Sequence, residues 1–481
     1  MHSIFRRALV AFAGPALLTA LVATCATNPV TGRSELSLVS ESQEIQMGQD
    51  GAKQVVGSIG LVADPGLQAY VSRIGKELAA HTERPNLPWS YQVVNEPVVN
   101  AFALPGGPVF ITRGILAHFN SEAELASVLG HESGHIAARH SVQQISRSQL
   151  AQLGLGLGSI LSPTVAKYGG VASAGLGVLF LKFSRDDESQ ADALGFRYAL
   201  SDGYDVRAME AVFNTLERIS GSDGRVPTWQ STHPSPVNRI ADTEALLAKV
   251  TIDLNKAKLN RDVYLRQIDG LMFGNDPRQG FFEGSAFYHP DLRFQIVFPQ
   301  GWATQNLPDA VLAGSPNKDA IIQLTVGPQT PPADAASKFL SQQGMQSSGA
   351  RALTINGFSA TQGNFTAQTD NGAVEGIATF LNYGGASYQI LAYTPSGKLS
   401  SYDASFRRTM ASFDRLTDQS RLNRQAATIR IVTLPRQMTL NEFYQAYPSS
   451  VPVEEVALIN GVEKSSVLTR GMLVKQVVGG K

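Results

Sequence analysis

Cysteine is almost absent: one residue, Cys25, in 481. A single thiol excludes any intramolecular disulfide, so the fold must rest on its own core. Charge imbalance is absent too. Forty basic residues meet forty acidic ones, charged residues make up 17%, and no lysine or arginine block occurs. The electrostatic footprint of a nucleic-acid binder is therefore missing, and no nucleic-acid partner is expected. Histidine is scarce, with eight in the chain. Apolar residues are plentiful at 43%, which fits a folded chain rather than a disordered one. A chain this long is expected to form about two to four domains.

The apolar run "ALVAFAGPALLTALVAT" follows a short basic "MHSIFRR" and is broken by Gly14 and Pro15. It is short for a spanning helix and reads as an export signal over residues 1–25, a retained membrane anchor being the alternative. The lone thiol sits directly behind it. "VATC" resembles a bacterial lipobox, in which the cysteine is acylated and becomes the new N-terminus. Thr24 stands where that pattern has Gly, Ala or Ser. Ala26 and Thr27 are not the aspartate that holds many lipoproteins in the inner membrane. The resemblance implies a periplasmic protein with membrane contact through a lipid on Cys25, anchored to the outer membrane.

Residues 26–285 have the texture of helices around a few strands. "SESQEIQMGQ" opens a helix with Ser40 as cap and Gln43 three residues on. "DPGLQAYVSRIGKELAA" carries apolar residues at helical spacing. "WSYQVVNE" and "PVFITRG" read as strands on either side of "NAFALPGG". A further helix begins at Ser121, with Glu124 closing a capping box. Residues 151–181 are rich in Gly and Ala. "GLGLG" there is no dinucleotide fingerprint, because the spacing is wrong and no strand precedes it. That stretch reads as a flexible helical hairpin near the site or against a membrane. "SRDDESQADALGFRYAL" is a helix capped by Ser184, and "STHPSPVNRIADTEALLAKV" one with Ser235 as cap and Pro236 at its first position. From residue 288 to 415 short β-branched runs alternate with turns around one helix, "ADAASKFLSQQ". This α+β region holds no cluster of catalytic residue types. Residues 425–481 form a third, small unit.

Three of the eight histidines fall within "HESGHIAARH", residues 131–140. His131 and His135 are four apart and share a helix face. Two imidazoles so placed can bind one zinc ion at about 2.0–2.1 Å each. Glu132 sits one position round, suited to act as a base on water beside the metal. Gly134 would keep the helix thin where a substrate approaches. An exposed polar helix is the plain alternative. A catalytic zinc needs a third protein ligand. A metzincin would place Gly at 138 and His at 141; here stand Ala138 and Ser141, so that class fails. On a continuous helix His140 lies about 140° round from His135 and cannot share its metal, which leaves it at the surface or behind a ligand. The remaining class takes a glutamate from a later helix. Glu188 is the best candidate, with Asp192 one turn on to accept a ligand ring N–H. A solvated acidic face with Asp186 and Asp187 is the competing reading.

Taken in order, "NAFALPGG", "HESGH", "SRDDESQAD" and "STHP" resemble the HtpX/CAAX-prenyl-protease family of HExxH zinc metallopeptidases. The likeness is greatest to its exported, BepA-like bacterial members and covers about residues 35–250. It implies His131, His135 and Glu188 as ligands of one Zn²⁺ per chain, Glu132 as the catalytic residue and Asp192 as an acid behind the ligands. The implied architecture is α+β and multidomain: a mainly helical gluzincin-type domain with a small edge-strand sheet, an α+β domain and a small C-terminal unit.

The resemblance also puts the loop of His233 over the zinc, with Arg239 nearby. His233 would either stabilise the oxyanion or bind as a fourth ligand and hold the enzyme latent; the latch is favoured for the resting state. The segment Asn100, Ala101, Phe102, Ala103 and Leu104 resembles an exposed edge strand to which an unfolded client could add. A buried hairpin with Phe102 in the core is the alternative. The C-terminal unit resembles a LysM module, with Gln437-Met438-Thr439-Leu440 where Gly-Asp-Thr-Leu is usual, and the middle domain resembles PsbP-like folds. The function expected is endopeptidase quality control of unfolded or misassembled envelope proteins. An assembly or chaperone-like factor, or a peptidoglycan-binding protein, is the alternative, with outer-membrane assembly machinery or peptidoglycan as possible partners.

Overall fold

The computed structural model describes residues 24–152, 182–223, 229, 233, 239–369 and 372–480. Most of the expected leader, the Gly/Ala-rich stretch from residue 153 and the helix start at Ser235 and Pro236 lie outside the described residues. Strand β1 (Thr24–Thr27) pairs with β2 (Ser34–Ser37), and Cys25 stands opposite Leu36. Helix α1 (Glu41–Ser58) starts at Ser40, where the Ser40 and Gln43 side chains reciprocally satisfy backbone N–H groups. Helix α2 (Pro65–Ala79) is capped by Asp64.

A three-stranded sheet follows, from β3 (Ser90–Val94), β4 (Ala101–Ala103) and β5 (Pro108–Thr112). Its order is β3-β5-β4; β3 runs parallel to β5, and β4 lies antiparallel at one edge. Helices α3 (Arg113–His118) and α4 (Glu122–Ala137) come next. Ser121 caps α4 by accepting from Glu124 N, while the Glu124 carboxylate accepts from Asn120 N. Every residue of α4 is buried, which marks it as the central helix of this region. Around it run α5 (His140–Gln152), α6 (Arg185–Ser201), α7 (Ala208–Asp223), α8 (Arg239–Leu247) and α9 (Arg261–Gln267).

Helices α4 and α6 meet glycine against glycine. A Cβ on Gly130 would stand 3.0 Å from the Gly195 carbonyl oxygen. One on Gly134 would stand 3.1 Å from the Ala191 oxygen and 3.1 Å from Leu194 Cβ. The role expected for Gly134 therefore changes: it admits a neighbouring helix rather than a substrate. The gain is that side chains on the first turns of α6 reach the middle of α4.

Residues 281–415 are β-rich and built on their own core, with Phe287, Phe294, Ile322, Ile390 and Phe406 fully buried. Seven antiparallel strands lie in the spatial order Ala303–Asn306, Val311–Gly314, Ile321–Pro328, Ala386–Pro395, Gly372–Tyr383, Phe358–Thr369 and Met345–Ile355. The helix Pro332–Leu340 packs on this sheet through Ala336 and Leu340. Four short strands form a second sheet.

The C-terminal residues return to the first region. Strand β6 (Met272–Phe273) pairs with Ala427–Thr433, which pairs in turn with Leu473–Gly479. Ile429 and Leu473 belong to the same apolar core as α2 and α4. Lys475 is fully buried and donates to the carbonyls of Ala117 at 2.9 Å, Phe119 at 2.6 Å and Ile459 at 2.5 Å. Three acceptors match the three N–H groups of one ammonium, as burial of a lysine requires.

Candidate metal centre

Helix α4 supplies His131 and His135 one turn apart, and their Nε2 atoms converge to 3.1 Å. Helix α6 supplies Glu188. Its Oε2 lies 3.6 Å from His131 Nε2 and its Oε1 3.6 Å from His135 Nε2. Ser184 and Asp187 fix the start of α6 by a reciprocal cap, which places Glu188 one residue later on the face toward α4. His233 completes the group. Its Nδ1 stands 2.9 Å from Glu188 Oε1 and 3.4 Å from His131 Nε2. One donor atom from each of these four buried residues lies within 4.8 Å of the others.

The arrangement fits a cation. Glu188 Oε2 is buried without a hydrogen-bond partner, a costly state for a carboxylate unless positive charge meets it. Imidazole and carboxylate together are the donor set of zinc and other divalent transition metals. Burial pushes the Glu188 pKa up to about 7, against the pull of His131 and Arg239. Burial also holds His135 well below its ordinary value and lowers His233 to about 3. Both rings are therefore neutral near pH 7, the form with a lone pair to donate.

Glu132 projects beside this group. Its Oε1 lies 3.7 Å from His233 Nε2. Burial raises its pKa to about 7, against His233 and with Glu188 adding to the rise. A carboxyl group that exchanges its proton near neutral pH suits a general base and acid.

Behind His131 stands Asp192, whose Oδ1 accepts from His131 Nδ1 at 2.8 Å. Arg239 grips the same carboxylate from the far side, with Nε at 2.8 Å from Oδ2. Burial opposes the Asp192 charge, but Arg239 and the His131 hydrogen bond outweigh it and hold the pKa down to about 2. An ionised Asp192 keeps the His131 proton on Nδ1 and frees Nε2. Arg239 lies over the Trp229 ring at 4.7 Å, and Trp229 stacks on His233 at 5.0 Å. Phe183 stacks on His135 at 4.1 Å.

The structure thus gathers His131, Glu132, His135, Glu188, Asp192, His233 and Arg239 in one buried site. Asn100 to Leu104 lie on and beside β4, which packs against α4. Phe102 is half buried and stacks on Phe110 at 5.2 Å. Cys25 is on β1. The sequence reading missed Trp229 and Phe183; an aromatic beside a ligand leaves no spacing signal.

A profile of peptidase family M48 matches residues 65–247, the span from the start of α2 to the end of α8. The mitochondrial metalloendopeptidase OMA1 of Schizosaccharomyces pombe is 32% identical over 234 residues, covering 47% of this chain and 67% of that protein. The chain belongs to peptidase family M48. The beta-barrel assembly-enhancing protease of Escherichia coli is 32% identical over 225 residues, covering 45% of this M48 chain and 46% of the relative. The mitochondrial metalloendopeptidase OMA1 of Arabidopsis thaliana is 34% identical over 203 residues, covering 42% and 39%. The M48 chain spans about two thirds of the first relative and less than half of the other two. Among solved structures, the cyanobacterial PsbP of Synechocystis is similar over 28% of this chain and 94% of its own, at 12% identity and a TM-score of 0.24. As an M48 member the chain is a metallopeptidase, with a buried His-His-Glu-His group able to hold its metal. Among the described residues no helix is long and apolar enough to cross a membrane.

Proposed function

We propose that this chain is a zinc-dependent endopeptidase of the bacterial envelope whose resting state is held closed by His233. The observation that carries the reading is the convergence of His131, His135, Glu188 and His233 within 4.8 Å, with Glu132 beside them. A zinc ion in this group would polarise the scissile carbonyl and lower the pKa of water toward about 7. His131, His135 and Glu188 would be its ligands. Glu132 takes a proton from the attacking water and returns it to the leaving amine. Asp192, backed by Arg239, keeps the His131 proton away from the site. His233, neutral and buried among the other donors, is in the state of a fourth ligand, and zinc favours four. Moved aside, the same ring could face the oxyanion with Arg239 near.

The substrates proposed are unfolded or misassembled envelope proteins. Three observations support this: the export-type N-terminus, the name of the Escherichia coli relative, and β4, a sheet edge with no further strand partner among the described residues. Backbone pairing along Asn100–Leu104 would bind a client without strict sequence choice. The outer-membrane anchor at Cys25, a LysM-like glycan contact in residues 425–481 and association with outer-membrane assembly machinery belong to the same proposal. Zinc content and casein cleavage of the purified protein, beside Glu132→Gln, test it. A protein without stoichiometric zinc, or a variant as active as the parent, overturns it.

A further inference from the structure

The third histidine of "HESGHIAARH" is not left over. Helix α4 ends at Ala137, and Arg139 takes a left-handed φ of 61°. This turn breaks the continuous helix on which His140 would point away. The chain folds back, and His140, 2% exposed, comes to rest against His135. Its Nδ1 lies 2.9 Å from His135 Nδ1, and its Nε2 lies 2.9 Å from Gln190 Oε1 on α6. The Asp187 carboxylate stands 3.7 Å from that same Nε2.

We propose that His140 is a positioning residue for the metal site, one that passes a proton preference from Gln190 to His135. The inference rests on the reading of His135 Nε2 as a ligand. Protons can be counted along the chain. A carbonyl oxygen and a carboxylate both accept and neither donates, so the proton of His140 sits on Nε2. With its one proton on Nε2, the neutral His140 ring presents a lone pair at Nδ1. Two ring nitrogens at 2.9 Å share one hydrogen bond and one proton; that proton is therefore on His135 Nδ1. His135 Nε2 is left as the lone pair facing His131 Nε2 and Glu188. Two lone pairs, on His135 Nε2 and His131 Nε2, then face each other 3.1 Å apart, an arrangement that a cation between them would relieve.

The two ligand histidines are thus fixed by different chemistry. His131 leans on a carboxylate, Asp192, while His135 leans on a neutral ring. Groups behind metal ligands commonly change affinity by about 10–100-fold when removed. The neutral support gives His135 its orientation without adding a second anion behind the site.

The test compares the full chain with His140→Asn and His140→Leu. Asparagine offers an oxygen near the position of Nδ1; leucine fills space and offers nothing. Zinc affinity is read by competition with a chromophoric chelator, and the His135 tautomer by ¹⁵N shifts of the metal-free protein. Expected are zinc binding and an Nδ1–H tautomer in the parent and in His140→Asn. His140→Leu should bind zinc about tenfold or more weakly, with His135 shifted toward Nε2–H. Gln190→Lys, which turns the acceptor into a donor, should weaken zinc binding as His140→Leu does. Parent-like affinity and tautomer in folded His140→Leu overturn the inference while leaving the metal reading intact. Zinc binding undiminished in His135→Ala removes the metal reading itself.

Discussion

Gly195 lies directly beneath His131: a methyl group there would stand 2.6 Å from the His131 backbone nitrogen. The metal centre is thus assembled on a helix crossing that tolerates no side chain. Glu188 and Asp192 reach the histidines only because α6 can approach α4 so closely.

Gly195→Val should push the helices apart. Overpacking of this kind costs about 1–3 kcal/mol, and zinc affinity should fall with it, because Glu188 and Asp192 both retreat. Chemical denaturation and chelator competition measure the two effects. A stable variant with unchanged zinc affinity would mean that the ligands are placed by something other than this crossing.

Ligands and base should separate cleanly. His131→Ala and Glu188→Ala should weaken zinc binding sharply, since each leaves only two of the three permanent ligands, with the displaceable His233 beside them. Glu132→Gln should keep zinc and lose proteolysis by at least about a hundredfold. Metal analysis beside casein cleavage decides, and stoichiometric zinc in Glu188→Ala would remove that residue from the site.

His233→Ala is expected to raise casein cleavage several-fold and to bring on self-cleavage, with zinc retained by the other three ligands. A fall in cleavage at full zinc occupancy would instead assign His233 to the transition state. The direction of the change separates the two roles.

Lys475 should leave a signature in the pH dependence of stability. Burial pulls its pKa from 10.5 down to about 7, against the charge of Glu124. Between about pH 7 and 10.5 the unfolded chain therefore binds a proton that the folded one has released. Stability contributed by this site rises with pH across that window, and below it the full cost of burying the charge remains. Lys475→Met should remove this rise. It should also strand the Ala117, Phe119 and Ile459 carbonyls, each at about 1–3 kcal/mol. Urea midpoints at pH 7 and 9.5 for both proteins would show it; parallel pH profiles would refute it.

Local signals carried much of the site. Ser121, the His131–His135 spacing and the Ser184–Asp187 cap each act within one turn, and sequence alone reveals them. The resemblance to known metallopeptidases then linked α4, α6 and His233, which no local rule can do. What escaped depended on non-local fits. A left-handed Arg139 is not foreshadowed by its residue type, so His140 was read on a straight helix. Gly130, Gly134 and Gly195 act as a contact surface, and glycine in a helix does not announce which neighbour it admits. The pairing of β6 with the C-terminal strands joins segments over a hundred residues apart, with no turn to predict it.

The clamp at Lys475 has a consequence for timing. Its partners Ala117 and Phe119 precede it by 358 and 356 residues. The segment carrying α4 therefore meets its clamp only after nearly all of the chain has become available for folding. The histidine helix is thus braced late, and a chain interrupted before residue 475 would carry every ligand while lacking the brace over the approach to that helix.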